Sequence, residues 1–394
     1  MGVALPQEAY MSPQNCPKYE ERAGRYVPQA GGYKAFLPKP LPPDPPLEYD
    51  PGLTSALSQA SWALGRLEGS DEFLRINTDL FVAMYVRKEA VLSSQVENTQ
   101  ATLEDVIEYQ AKVRHRRFPP DVSEVVNYVR AMNTGLARLA EIPLSLRLIR
   151  EMHATLLEGV RGADRRPGEF RTGPNWIGPK DGTLHEAVFV PPPVAEMHQA
   201  LGSLEEYLHR EEDAPALVKA ALVHAQFETI HPFADGNGRL GRLLITLFLC
   251  EKRLLRRPLL YLSRYFVQHR GEYYDRLMAV RLRGDWEGWL KFFLTGVHEV
   301  ATEAADRAVR ITGLRQAHEE LIRHAGTNAP RLLDLLYVAP VVSAKAVRQS
   351  LGVTAATAHN LIRRFEKLGL LKEITGKGRN RAYRYQPYVD LLNE

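Results

Sequence analysis

The helix read from about Arg239 to Lys252 has almost no polar face, and the eight residues from Leu243 to Cys250 are apolar but for Thr246. A helix that is apolar nearly all round must be covered on every side, either by protein or by lipid. Eight residues fall far short of the roughly 20 that cross a bilayer. The chain is therefore expected to build a globular domain around this helix. At 394 residues it is long enough for two or three domains with a sizeable core. Apolar residues at 45% and charged residues at 25% are ordinary for a soluble protein, so composition excludes neither catalysis nor binding.

The rest of the chain reads as helices with two departures. Residues 1–46 hold ten prolines and no helical period, which predicts an extended or poorly ordered leader. Gly168 to Pro193 is rich in Gly, Pro, Asn and Trp, with a Lys180-Asp181-Gly182 turn and the apolar run Ala187–Val190. That composition predicts a hairpin of two short strands. From Leu53 to Val86 the period is helical, and Arg87–Ala111 continues it with a break near Asn98-Thr99. Thr102 followed by Glu104 and Asp105 reads as an N-cap starting a new helix. The N-terminus has no basic stretch leading into an apolar one and does not read as a secretory signal. Pro6 stands where a myristoylation motif wants Ser or Thr. Cys16 and Cys250 are the two cysteines, one in the leader and one in the apolar helix, so no disulfide is expected. A reducing, cytoplasmic setting is the expectation, with no membrane partner.

The apolar helix is preceded by His231-Pro-Phe-Ala-Asp-Gly-Asn-Gly-Arg-Leu-Gly-Arg242. Pro232 ends the helix before it. Gly236 and Gly238 let the backbone turn tightly and present N–H groups, and the positive end of the following helix adds to them. Asn237 is expected to add amide donors. Arg239 and Arg242 are three residues apart, so both guanidinia serve one side of the helix start, each suited to bidentate phosphate contact. Asp235 offers a hard oxygen suited to Mg²⁺ held jointly with phosphates. His231 precedes this nest and can act as a general base near neutral pH. One loop thus combines a base, a metal ligand, an anion nest and two cations.

These residues fill every position of His-Pro-Phe-x-Asp-Gly-Asn-Gly-Arg-x-x-Arg, and the sequence resembles the Fic family of protein AMP-transferases over most of residues 47–300. The resemblance implies a mainly α fold, a helical core with a β-hairpin flap. It also implies ATP as substrate, Mg²⁺ as cofactor and a protein hydroxyl as acceptor, on another protein or on the chain itself. Under it, His231 deprotonates the Ser, Thr or Tyr hydroxyl and Asp235 holds Mg²⁺. Gly236, Asn237, Gly238 and Arg239 cradle the phosphates, Arg242 clamps the γ-phosphate, and pyrophosphate leaves. The intact Gly-Asn-Gly favours nucleotidyl over bare phosphate transfer. The hairpin near Glu169–Val190 looks like the family's flap, with Ile177 and Val188 as candidate target contacts and Tyr273 and Tyr274 as candidates beside the adenine.

Ser93-Ser-Gln-Val-Glu97-Asn98 matches the family's inhibitory pattern Ser/Thr-x-x-x-Glu-Gly/Asn. Ser93 and Glu97 are four apart and share one helix face. A Glu presented to the nest can pair with Arg242 and displace the γ-phosphate. Two other readings stay open: removal of AMP, with Glu97 orienting water, and a DNA-binding regulator whose Fic domain senses nucleotide.

Residues 331–385 hold 11 Lys and Arg against three Asp and Glu. Ser343–Gly352 and the helix capped by Thr354 form a helix-turn-helix pattern, and Leu370–Ile374, the turn at Gly376–Asn380 and Ala382–Tyr385 form a basic wing. The module resembles a winged helix, which binds DNA or, alternatively, docks protein. Thr357, His359, Asn360, Arg363 and Arg364 are its candidate contacts. The expected layout is a leader (1–46), an N-terminal helical region with the inhibitory helix (47–115), the catalytic core (116–300), a linker helix (301–330) and the winged helix (331–388). Whether two copies pair is open at this stage.

Overall fold

A computed structural model of the chain describes residues 21–73, 79–113, 117–179, 182–211 and 214–394. Cys16, the start of the leader, part of the Phe73–Val86 period and the Lys180-Asp181 turn lie outside the described residues. In chain order, β1 (Gly24–Pro28) and β2 (Lys34–Pro38) precede α1 (Pro51–Phe73), α2 (Asp79–Val96), α3 (Leu103–Gln110), α4 (Val122–Arg138) and α5 (Leu146–Leu156). Then follow α6 (Val194–His209), α7 (Ala216–Ile230), α8 (Asn237–Glu251), α9 (Ser263–Gln268), α10 (Arg270–Arg283) and α11 (Trp286–Leu321). The C-terminal stretch adds α12 (Ala329–Val338), β3 (Val341–Ser343), α13 (Ala344–Leu351), α14 (Ala355–Lys367), β4 (Leu371–Glu373), β5 (Ala382–Tyr385) and α15 (Gln386–Asn393). The fold is mainly helical with few strands.

The chain divides into two compact units, one of residues 1–61, 134–252 and 268–296, the other of residues 62–133, 253–267 and 297–394. In the first, α7 and α8 form the centre. Every residue of α7 from Leu217 to Ile230 is buried, and α8 is buried from Arg239 to Leu249. Full enclosure of both accounts for their apolar sequences and for the absence of a polar stripe. Trp289 of α11 donates its indole N–H to the Ala221 carbonyl (2.9 Å), satisfying the one polar atom of a large buried ring.

Of the two alternatives for the leader, the described part is extended and ordered: β1 and β2 pair antiparallel with Tyr26 opposite Phe36. Phe36 donates its amide to the Val190 carbonyl (2.9 Å) and its ring lies 5.9 Å from that of Phe189. The prolines masked this because both strands are short and end on proline, where no ladder donor is needed. The stretch Glu169–Val190, in turn, is not a ladder of two strands. Its described residues meet through one antiparallel bridge, Ile177 with Phe189, and a 3₁₀ turn at Leu184–Glu186. Its prolines and glycines support turns better than a continued ladder.

In the second unit, α3 starts where the sequence placed it. Thr102 Oγ1 accepts from the Asp105 amide (3.2 Å) while Asp105 Oδ2 accepts from the Thr102 amide (2.9 Å), a reciprocal cap. α2 packs against α12. Lys88 of α2 donates to the Leu392 carbonyl, and Glu108 of α3 pairs with Arg384 of β5 at 3.4 Å. Composition draws a boundary near residue 330, yet residues 329–394 share their compact unit with α2 and α3. The three strands order as β3-β5-β4, so β3 and α15 complete a winged helix of which the sequence showed the two central helices and the wing.

Candidate active site

α7 ends because His231 adopts a left-handed conformation (φ 50°, ψ 60°), and Pro232 follows it. Such a conformation costs a non-glycine residue roughly 1–2 kcal/mol, so neighbouring groups must hold it. The His231 amide still closes the last helical turn on the Phe227 carbonyl (2.9 Å). His231 Nδ1 is 3.4 Å from the Glu228 carbonyl. The loop then runs to Gly236, also left-handed (φ 77°), which caps α8. Any side chain there would be strained. The first helical bond of α8 is Leu240 to Gly236 (3.0 Å). The amides of Asn237, Gly238 and Arg239 therefore precede the intrahelical ladder, the ordinary basis of an anion site.

Asn237 sits differently from its sequence reading. Its side chain is 2% exposed; Oδ1 accepts from the Phe233 amide (2.9 Å) and Nδ2 donates to the Phe233 carbonyl (2.8 Å). The side chain ties the loop together from inside instead of facing a ligand, which leaves its backbone amide as its contribution to the nest. Asp235 Oδ1 accepts from the Gly236 amide (2.6 Å) and lies 3.6 Å from Arg239 Nη2. Its side chain is one-third exposed, whereas that of Arg239 is fully buried. Gly162 leaves room for the other carboxylate oxygen, since a Cβ there would lie 2.9 Å from Oδ2. One outward carboxylate beside an anion nest fits a Mg²⁺ carried in with phosphates. Among the described residues, no group of three or more His, Cys, Asp or Glu is arranged to hold a metal alone.

Arg242 is buried and hydrogen-bonds the Tyr273 hydroxyl. That hydroxyl is 2.9 Å from His224 Nε2, and His224 Nδ1 is 3.0 Å from the Gly241 carbonyl. The carbonyl can only accept, so Nδ1 carries the proton and Tyr273 donates to Nε2. Burial pushes the Tyr273 phenol well up, and the Glu228 charge adds to that. Tyr273 is thus core, fixing Arg242, and is no adenine platform; Tyr274 beside it is 40% exposed.

Three side chains that sequence reading missed fasten this loop. His153 of α5 stacks on Phe233 with ring centroids 3.8 Å apart. The Gly168 amide donates to its Nδ1 (2.9 Å), so its Nε2 carries the proton and donates to the Asp235 carbonyl (3.0 Å). Arg171 and Asn175 bond the carbonyls of residues 231–233. The only signal available was polar residues within a stretch already flagged for its composition; a lone His on an amphipathic helix carries none.

Burial drives the His153 pKa down to about 4, and the Asp235 carbonyl only partly opposes this. The folded state therefore binds fewer protons than the unfolded chain, whose histidines titrate near 6.5. His153 contributes stability above pH 6.5 that is lost as pH falls toward 4, about 3 kcal/mol by pH 4. Thermal unfolding of wild type should thus steepen its loss below pH 6.5. In His153→Asn the neutral-pH melting temperature should drop and the slope between pH 6.5 and 4 should flatten. An unchanged slope would show that His153 titrates normally.

The segment that matches the inhibitory pattern, Ser93–Asn98, lies in the second unit. Ser93 is fully buried and Glu97 half-buried. α2 stops at Val96, and Asn98 is left-handed (φ 67°). The Asn98 amide bonds the Gln95 carbonyl (3.0 Å) and the Thr99 amide bonds that of Ser94 (3.4 Å). This is a helix C-terminal motif that calls for Gly or Asn at its left-handed position, a physical reason for the final residue of the pattern.

Residues 143–249 match the Fic/DOC family, residues 54–137 its N-terminal region and residues 329–384 a helix-turn-helix DNA-binding domain. A protein of Aquifex aeolicus (strain VF5) named "probable protein adenylyltransferase" is 26% identical over 181 residues, covering 44% of this chain and 51% of its own length. The protein adenylyltransferase Fic of Aedes aegypti is 28% identical over 151 residues, covering 38% of this chain and 27% of its own. The chain thus spans about half or less of the length of these relatives. Among solved structures, a Fic family protein from Desulfovibrio desulfuricans G20 shares the fold at a TM-score of 0.56 and 20% identity, covering 86% of this chain and 98% of its own. The chain carries the N-terminal region and the domain of the Fic/DOC family, followed by a C-terminal helix-turn-helix domain.

Proposed function

We propose that this chain transfers AMP from ATP to a Ser, Thr or Tyr hydroxyl of a protein, and that Glu97 restrains it. The observation that carries the reading is one loop that holds His231, the Asp235 carboxylate 3.6 Å from Arg239 and the amide end of α8 within twelve residues, with Arg239 and Arg242 both buried. Relatives named as adenylyltransferases agree with it. His231 accepts the proton of the attacking hydroxyl. The hydroxyl oxygen bonds to the α-phosphorus as the bond to the bridging oxygen breaks, and pyrophosphate departs with that electron pair. The amides of residues 237–239 and the arginines hold the phosphates in line, and positioning supplies most of the catalysis in such transfers. Asp235 would hold Mg²⁺ at the phosphates, where a bound ion offsets their charge.

The test is donor labelling. In Glu97→Gly, ATP labelled at the α-phosphate should mark protein, with a mass gain of one AMP, and chelation of divalent cations should abolish it. Label from the γ-phosphate alone would make the enzyme a kinase and overturn the reading.

The helix-turn-helix domain supports DNA as a second partner. His359, Asn360 and Arg363 are exposed on α14, and Arg379 and Arg381 are exposed at the wing. Arg364 also reaches back to the Ala325 carbonyl (2.6 Å), so its role is partly structural. DNA affinity that falls steeply with salt is the expected signature.

A further inference from the structure

His231 stands in a conformation that its own chain does not favour. Proline at 232 pushes the preceding residue toward extended backbone, yet His231 has φ 50°. A side chain stays in that region only where its surroundings over-determine it. The surroundings come from the stretch after α5. Arg171 is 5% exposed, and its Nε donates to the His231 carbonyl at 3.0 Å. Its own amide donates to the Pro232 carbonyl at 2.9 Å. Asn175 Nδ2 donates to the carbonyls of His231 (3.2 Å) and Phe233 (2.8 Å). Three consecutive carbonyls, at 231, 232 and 233, are thereby held from one side. Two donors from different residues converge on the His231 oxygen.

Arg171 is itself locked. Nη1 donates to the Gly173 carbonyl (3.0 Å) and Nη2 to that of Pro192 (2.5 Å). Its guanidinium therefore joins both ends of the Gly168–Pro193 stretch to the backbone of the loop. Its donors go to three carbonyl oxygens on separate segments, and a planar guanidinium with five donors in a fixed fork spans them where a compact ammonium with three cannot reach as far.

We propose that Arg171 and Asn175 are positioning residues for His231, setting the direction of its imidazole by gripping its carbonyl and the two that follow. The proposal rests on the reading of His231 as the base. A base must stand within hydrogen-bond reach of the proton it takes, and a displacement of about 1 Å can cost around 10²-fold in rate.

The test uses the full chain with Glu97→Gly as the active parent. Arg171→Ala should lower kcat by roughly 10²-fold and Asn175→Ala by roughly 10-fold, with KM for ATP within about twofold of the parent. Arg171→Lys should recover part of the loss. The double variant should lose little more than Arg171→Ala, because both side chains share the His231 carbonyl. A second readout is independent of activity. In ¹³C-histidine-labelled protein, the His231 Cα resonance, assigned by its disappearance in His231→Ala, should leave its left-handed position in Arg171→Ala and Asn175→Ala. If Arg171→Ala fails to fold, Asn175→Ala and Arg171→Lys decide. Kcat within twofold of the parent in both single variants, or a rise in KM alone, overturns the proposal. If no form including the parent labels protein, the functional reading falls, and the His231 resonance alone decides: unmoved in both variants, it overturns the positioning role.

Discussion

His231→Ala, made in the Glu97→Gly parent, should abolish label on protein to the extent that loss of a general base costs, about 10²–10⁴-fold. The size follows from the chemistry: a neutral hydroxyl is a poor nucleophile toward phosphorus until its proton is taken, and no other imidazole shares this loop. His153, which stacks on Phe233 of the loop, is committed on both nitrogens to Gly168 and Asp235. Its pKa of about 4 follows from burial, so it offers no base to solvent. His224 is committed likewise, to Gly241 and Tyr273. The fold should survive, because His231 is a half-exposed helix-end residue. His231→Asn controls for backbone strain, since Asn tolerates the left-handed region better than Ala. Both variants should therefore bind ATP and fail to transfer. Transfer at the parent's rate in either one would show that the target hydroxyl is deprotonated by another group.

What the sequence disclosed here was local chemistry, and what it hid was the scaffolding. The loop stood out because its residues are contiguous: a histidine, a carboxylate, two glycines and two arginines within twelve positions stay together wherever the loop lies. The α7 and α8 helices could be read because full burial erases the polar stripe. Thr102 was legible as a cap because side chain and amide are three residues apart. By contrast, Arg171, Asn175 and His153 act across 56–82 residues of chain on backbone carbonyls, which have no identity in a sequence. Nor could the sequence show that Asn237 turns inward, because an amide serves a ligand or its own loop with equal propriety. The strands β1 and β2 escaped because their proline content outweighed a short period of two. The association of α2 with the C-terminal domain escaped because it joins segments far apart in the chain, through the packing of α2 on α12 and the bond from Lys88 to the Leu392 carbonyl.

Glu97→Gly should raise ATP-dependent self-modification by roughly tenfold or more over wild type, which should show little. The proposed brake is the Glu97 carboxylate, which under the family's inhibitory pattern competes with the γ-phosphate for its arginine. A single preorganised donor aimed at charge developing in the transition state is worth about 10²–10³-fold, so occupying the arginine assigned to the γ-phosphate of the leaving pyrophosphate removes much of the rate even where ATP still binds. The backbone makes this substitution an unusually direct probe. Glycine inside a helix costs about 1 kcal/mol, but α2 ends at Val96 and Glu97 lies beyond its last helical residue. The Asn98 and Thr99 amides close the end through Gln95 and Ser94, and neither bond involves the side chain at 97. The change therefore removes the carboxylate while leaving the helix and its termination in place. Glu97→Asp should inhibit only in part, since it falls one methylene short. Arg242→Ala should stay inactive alone and combined with Glu97→Gly, because it deletes the clamp instead of freeing it. Asn98→Gly should keep the brake, whereas Asn98→Val should loosen it by opposing the left-handed backbone. Intact mass of each variant after incubation with ATP and Mg²⁺ gives the answer in one series. If Glu97→Gly gains no AMP over wild type, while wild type strips AMP from a modified protein, then Glu97 serves removal of AMP and the brake does not exist.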